Sequence, residues 1–246
     1  MLLRMLRFSI TNLLYPPACL LCHRRAHTPG TVFCDACEGA MPPCLPPVCE
    51  RCGLSVAGAY DAQPQCRRCQ ARPPAFAQAR APFLYLDGVR EAVHAFKYRG
   101  QPRIGRWFAA RMAQTASDTL PLARVTRIVP VPSHWLKARL RGASPAASLA
   151  RAVARQLAVP YDARLLAKTR WTSTQTRLTP PQRFRNVRGA FRARRRLDQD
   201  DAILLIDDVL TSGATADACA QALRAAGAQA VFVLTISRAL SENLKH

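Results

Sequence analysis

The sequence predicts an α/β protein with a parallel sheet covered by helices on both faces, preceded by a small metal-held segment. Three observations carry this reading. Residues 202–206 (AILLI) and 230–236 (AVFVLTI) are apolar almost throughout, as in strands buried on both faces. Such strands alternate with segments of helical period, the pattern of helical crossovers between parallel strands. Eight of the ten cysteines form four C-x-x-C pairs near the start of the chain.

With 246 residues there is room for one or two domains and a real core. The formal charge is +21, yet 49% of residues are hydrophobic and only 21% charged. That balance excludes a disordered polycation and describes a folded protein suited to anionic company: phosphates, nucleic acid or anionic lipid. No window holds the ~20 uncharged apolar residues that cross a bilayer, so a membrane span is not expected.

Residues 1–14 are expected to form an amphipathic helix, with Leu2, Leu3, Leu6, Ile10, Leu13 and Leu14 on one face. Arg4 and Arg7 ahead of an apolar stretch also resemble a signal peptide. Thr11 and Asn12 interrupt that stretch, Pro16-Pro17 ends it, and no small-x-small site follows.

Residues 15–75 hold the paired cysteines: Cys19/Cys22, Cys34/Cys37, Cys49/Cys52 and Cys66/Cys69. Two intervening residues let both thiolates of a tight turn face one ion, and two such turns complete a tetrahedral sulfur shell suited to Zn²⁺. Eight thiolates imply two zinc ions, structural because every ligand position is filled by protein. One pair alone would leave redox chemistry or a disulfide open; four in this regular array favour metal. Consecutive pairing is expected because short closures cost less chain entropy. The gap from Cys37 to Cys49 equals that from Cys22 to Cys34, so spacing also admits a nested arrangement. Gly53 suits a metal knuckle. Cys44 has no pair mate, and Cys219, in an Ala-rich helix, reads as a small buried hydrophobe. Reduced thiolates point to the cytoplasm. Pro42, Pro43, Pro46 and Pro47 form an internal hinge, and Pro73-Pro74 mark the boundary to a second unit, residues 76–246.

In that unit a strand is predicted over 81–86 and helices over 89–98 and 105–116. A strand over 127–131 and a helix over 146–157 follow. Then come the strand at 202–206, a helix over 215–226 and the strand at 230–236. Between residues 119 and 197 stand eighteen Lys and Arg and one acid, Asp162. Within it, residues 168–196 are Pro-broken and hydroxyl-rich, and predict a long loop running into a strand or turn. The charge density there favours an anion-binding role over a merely solvated face.

The segment that carries chemistry is Ile206-Asp207-Asp208-Val209-Leu210-Thr211-Ser212-Gly213-Ala214-Thr215. A buried strand delivers two adjacent carboxylates to the carboxyl end of a sheet, where open α/β folds bind ligands. A loop of Thr, Ser, Gly and Thr follows, able to wrap a phosphate with amides and hydroxyls. It opens onto a helix N-terminus, which favours an anion. The carboxylates suit the cis-diol of a ribose, so the segment describes a ribose 5-phosphate cradle. Neither a G-x-G-x-x-G nor a G-K-[ST] loop is present.

This segment resembles the phosphoribosyl pyrophosphate (PRPP) motif of type I phosphoribosyltransferases. Taken in order, the four C-x-x-C pairs, Lys97, Val129-Pro130-Val131-Pro132, Arg141-Gly142, Gln175, Leu178, Arg183, Asn186, Gly189-Ala190-Phe191 and the PRPP motif resemble the ComF family. That family joins a double zinc ribbon to a phosphoribosyltransferase domain and includes competence-associated proteins. One departure is that Ala143-Ser144-Pro145 stand where the family usually has Phe-Asn-Gln.

The resemblance implies a type I phosphoribosyltransferase-like sheet binding PRPP with Mg²⁺. The catalytic pair would be Asp207 and Asp208, on the ribose hydroxyls. The 5-phosphate would lie on Val209, Leu210, Thr211, Ser212, Gly213, Ala214 and Thr215, and the pyrophosphate near Pro132 and Ser133. Lys97, Arg183 and Arg185 would add positive charge. A base nitrogen would displace pyrophosphate at C1; no general base stands out, His94 and His134 reading as structural. The competing expectation is a binding protein: a PRPP or nucleotide sensor, or a holder of single-stranded DNA working with competence proteins.

Overall fold

The computed structural model describes residues 18–25, 30–56, 64–99, 101–132, 144–172 and 178–240. The helix expected over 1–14 lies outside them, as do Ser133, His134, Arg141, Gly142, Ala143 and Gln175.

The core is a parallel sheet. Its two long strands, β6 (Ala202–Leu210) and β7 (Ala230–Arg238), lie side by side with Ile206 opposite Leu234 and Asp207 opposite Thr235. β3 (Arg127–Pro130) flanks β6, while β1 (Gln78–Arg80) and β2 (Phe83–Leu84) both pair with β7, giving the order β1-β7-β6-β3. Every pairing in this sheet is parallel.

The period-2 alternation of strands explains why the apolar runs are unbroken. Leu204, Ile206, Phe232 and Leu234 face one core with Phe108 and Met112 of α4 (Pro102–Thr119) and Leu149 and Val153 of α5 (Pro145–Leu157). Ile203, Leu205, Val231 and Val233 face the other with Cys219 and Leu223 of α7 (Ala214–Ala225). Helix α3 (Asp87–Tyr98) adds Val89, Ala92 and Val93 to the first core.

Three expectations are corrected. Of the strand predicted over 81–86 only β2, two residues, forms, and a separate strand β1 ends before it at Arg80, with Pro82 between them. The strand predicted to end at 206 continues to Leu210, held by backbone pairing to β7. The basic stretch is not one long loop. β4 (Leu166–Lys168) pairs antiparallel with β5 (Phe191–Ala193), and α6 (Pro180–Val187) stands between them. Pro180 and Pro181 open that helix rather than break it, since the first turn donates no intrahelical bond. Thr179 completes a capping box, its N–H donating to the Gln182 side chain at 2.8 Å.

The cysteine segment clasps the sheet from two sides. Cys19, Leu21, Phe33 and Met41 join the α4 core, with Phe33 edge-on to Trp107 at 4.9 Å. Cys49, Cys52, Leu54, Cys66 and Cys69 join the α7 core with Phe76 and Leu210. The second C-x-x-C pair of each group opens a one-turn helix, α1 (Asp35–Gly39) and α2 (Arg67–Ala71), each starting directly after a cysteine. Gly53 takes φ +64°, and a Cβ there would lie 2.7 Å from the Ala79 carbonyl oxygen, so only glycine fits this knuckle against β1.

Candidate functional site

The eight cysteines gather consecutively into two groups, Cys19/Cys22/Cys34/Cys37 and Cys49/Cys52/Cys66/Cys69, so the nested arrangement is not adopted. Within each group the sulfur atoms lie within 4.8 Å of one another. A tetrahedral zinc with Zn–S bonds of about 2.3 Å needs sulfurs about 3.8 Å apart. Cys22 and Cys34 place theirs 3.7 Å apart, and Cys52 and Cys66 theirs 3.6 Å apart. The donor set therefore fits two zinc ions. The second site is buried throughout; the first has Cys22 exposed. Cys219 is buried, and burial pushes its thiol well up, the state of an inert apolar side chain.

At the carboxyl end of β6 the motif forms a pocket of about 190 Å³ lined by Asp207 to Thr211 and Gly213 to Ala216. Gly213 stands at the N-cap of α7 with φ +77°, the left-handed turn that aims the first amides of the helix outward. The Ser212 hydroxyl faces back into the fold and accepts from the Ala214 N–H at 3.4 Å. Thr211 is exposed at the mouth and Thr215 is half-buried.

The twin aspartates are not equivalent. Burial pushes the Asp207 carboxyl up from its ordinary 3.8 to about 7, and the adjacent Asp208 charge adds to this. The Asp208 N–H, donating to Asp207 Oδ1 at 2.9 Å, and the charges of Lys97 and Lys168 pull the other way. Asp208 instead pairs with Lys97 on α3, Nζ to Oδ2 at 2.7 Å. Burial of Lys97 works against its charge, but Asp208 more than offsets it and holds the ammonium above its ordinary range. Lys97 also lines a larger groove of about 650 Å³ between α4 and α5, together with Arg106, Arg151 and Arg155. The Lys97–Asp208 pair thus stands between groove and pocket.

Pro132 lies just beyond β3, half-buried, beside the end of β6. Arg183 and Arg185 ride on α6, where Arg183 Nε donates to the Leu178 carbonyl at 2.9 Å; neither lines the 190 Å³ pocket. His94 is exposed against Tyr98, with ring centroids 4.6 Å apart. Sequence reasoning missed Arg238 and Asp217. Arg238, at the end of β7, donates to the carbonyls of Leu210 and Thr211. Asp217 in α7 accepts from the Ala75 N–H at 2.7 Å. Among the described residues, no helix is long and apolar enough to cross a membrane.

Two cysteine ribbons locked onto a parallel sheet, with a strand–loop–helix pocket at the carboxyl end of its central strand, define an α/β protein that carries a double zinc ribbon. The profile of the double zinc ribbon domain matches residues 10–70. The DNA utilization protein YhgH of Salmonella typhimurium is 29% identical over 92% of this chain and 98% of its own length. Competence protein F of Haemophilus influenzae is 25% identical over 90% of this chain and 96% of its own length. The amino-terminal part of the chain thus matches the double zinc ribbon domain, and nearly its whole length is similar to proteins named for DNA utilization and competence. Two solved structures overlap in part. The allosteric regulatory enzyme of purine biosynthesis is 22% identical, with a TM-score of 0.39 over 59% of this chain and 30% of that one. The protein TT1426 from Thermus thermophilus is 15% identical, with a TM-score of 0.33 over 58% of this chain and 86% of that one.

Proposed function

We propose that this protein binds PRPP with Mg²⁺ in the cytoplasm and transfers its ribose phosphate to a nitrogen acceptor, in the service of DNA uptake or utilization. One observation carries the reading: two carboxylates and a glycine-turned helix N-terminus enclose a single small polar pocket. The α7 amides and the Thr211 and Thr215 hydroxyls hold the 5-phosphate, which suits the exposed N–H groups and dipole there. Asp207 and Asp208 accept from the ribose hydroxyls. Mg²⁺ bound with the substrate supplies charge neutralisation of the pyrophosphate, commonly with few protein ligands. Lys97 stands ready to stabilise negative charge that develops as pyrophosphate leaves. The names of the relatives support the link to DNA.

Titration calorimetry with PRPP and Mg²⁺, followed by a nucleobase screen for pyrophosphate release, tests this reading. Saturable binding supports it; no binding at millimolar PRPP by a folded, zinc-loaded sample overturns it.

The raised Asp207 carboxyl makes a separate prediction. An acceptor must be ionised, so PRPP affinity is expected to rise with pH through about 7. Stability runs the opposite way. The native state keeps a proton that the unfolded chain releases, so this group lowers stability between 3.8 and about 7, with no further change above. Urea unfolding across that range reads the slope, and Asp207→Asn should remove both effects. An Asp207→Asn profile identical to the wild type would contradict the assignment.

A second reading, a holder of single-stranded nucleic acid, is favoured by the larger groove. Its lining among the described residues includes Lys97, which is paired with Asp208, and Arg106, Arg151 and Arg155, with no acid. Oligonucleotide binding there should weaken steeply with salt, and Arg106→Ala with Arg151→Ala should flatten that slope by about two ions. A slope unchanged in the double variant would remove the groove from consideration.

A further inference from the structure

Arg238 is 2% exposed, yet among the described residues no carboxylate lies within ion-pair distance of it. A buried guanidinium needs acceptors for its five donors and a counter-charge. Its acceptors come from two places. Nε donates to the Cys52 carbonyl at 2.9 Å, and Nη2 lies 3.8 Å from Cys52 Sγ. Nη1 donates to the carbonyls of Leu210 at 2.8 Å, Thr211 at 2.7 Å and Ala239 at 2.7 Å. One side chain therefore grips both a knuckle of the second cysteine group and the first residue of the pocket loop. The counter-charge is available in the metal-loaded state, since four thiolates around Zn²⁺ carry a net negative charge.

Two further ties join the same pieces. The Ala75 N–H, just past the second ribbon, donates to Asp217 in the first turn of α7. Phe76 and the Arg68 side chain of α2 close against Gly213, each 3.9 Å from where its Cβ would stand. The first ribbon has different anchors. Its contacts run to α4, through Arg103 to the Thr31 carbonyl, Arg111 to Glu38 and Phe33 to Trp107.

We propose that Arg238 is a positioning residue that couples metal occupancy of Cys49/Cys52/Cys66/Cys69 to ligand binding at Thr211–Thr215. This rests on the reading of that loop as a phosphate cradle. A filled second site fixes the guanidinium, which fixes the Leu210 and Thr211 carbonyls and so the loop. By linkage, an occupied cradle holds the second metal more tightly by the same factor. The first site stands outside this coupling.

Zinc release to a chromogenic chelator tests the coupling without reference to turnover. Release from the zinc-loaded protein should be biphasic. Cys22→Ser identifies the faster phase by abolishing it. Saturating PRPP with Mg²⁺ should slow the second phase about tenfold, within the usual range of coupling between sites, and leave the first unchanged. In the variant carrying Asp207→Asn and Asp208→Asn, PRPP should slow neither phase, which excludes a direct effect of PRPP on the chelator. Arg238→Lys keeps the charge but loses the fork, and should keep two zincs while losing most of the PRPP effect. PRPP binding by calorimetry with an unaltered second phase overturns the coupling and leaves the cradle standing. Absence of PRPP binding overturns the cradle, and the coupling falls with it.

Discussion

Asp207→Asn combined with Asp208→Asn is expected to weaken PRPP binding by about a hundredfold or more and to abolish pyrophosphate release. Each carboxylate–hydroxyl hydrogen bond contributes about 1.5–3 kcal/mol. Losing two corresponds to roughly 10²- to 10⁴-fold in Kd. A competing effect makes the sign informative. The double change removes up to two negative charges from beside an anionic ligand, the second in full only above about pH 7, and frees Lys97 from Asp208, which it meets at 2.7 Å. Both would tighten the binding of any anion held by charge alone. Weaker binding therefore identifies hydroxyl recognition, whereas unchanged or tighter binding would leave these residues without the role given them here. Retained zinc content and an unchanged circular dichroism spectrum are the controls. The substitution is also mild for the fold, because Asp207 is already pushed toward its neutral form.

Emptying the second metal site should have the largest effect on stability. Cys49, Cys52, Cys66 and Cys69 are buried among Phe76, Val131, Leu210 and Ala214, so they form part of the α7 core rather than an appendage to it. Without metal, that core holds four buried thiols with no ion to bind. Structural zinc contributes about 10 kcal/mol or more in isolated zinc fingers. Even about 4 kcal/mol lost here would lower the melting temperature by roughly 10 °C for a chain of this size. Cys49→Ser is therefore expected to melt at least that much earlier. Cys22→Ser should cost less, because its side chain is exposed at the rim of the first group. Differential scanning fluorimetry on both variants, with zinc content measured in parallel, checks the order. Equal shifts would show that the two ribbons contribute alike.

The parts of this protein legible in its sequence are those whose partners are neighbours in the chain. The strand, the paired aspartates, the turn at Gly213 and the helix after it run consecutively, so their geometry follows from local rules. The C-x-x-C pairs likewise announce their chemistry; which pair meets which depends on the fold. Arg238 was not legible. It ends an apolar strand, where an arginine ordinarily marks an exit to solvent, and its acceptors lie 186 and 28 residues away. The Lys97–Asp208 contact is hidden for the same reason, since it joins α3 to β6. The helix at Pro180–Val187 was hidden differently. Adjacent prolines read as a break, and the cap formed by Thr179 and Gln182 reverses that meaning.

The sheet edge fixes the order in which this chain becomes whole during synthesis. β1 and β2 follow directly after the cysteine knuckles, and their partner β7 is the last strand among the described residues. While the ribosome is still adding β6, the early strands have no edge to join, and the knuckles lack much of the surface that will bury them. Bound metal and, for the first ribbon, the contacts to α4 then constrain the nascent N-terminal part, while sheet closure awaits β7. A nascent chain stalled before Ala230 should remain open to protease around Arg72, and one released past Arg238 should not.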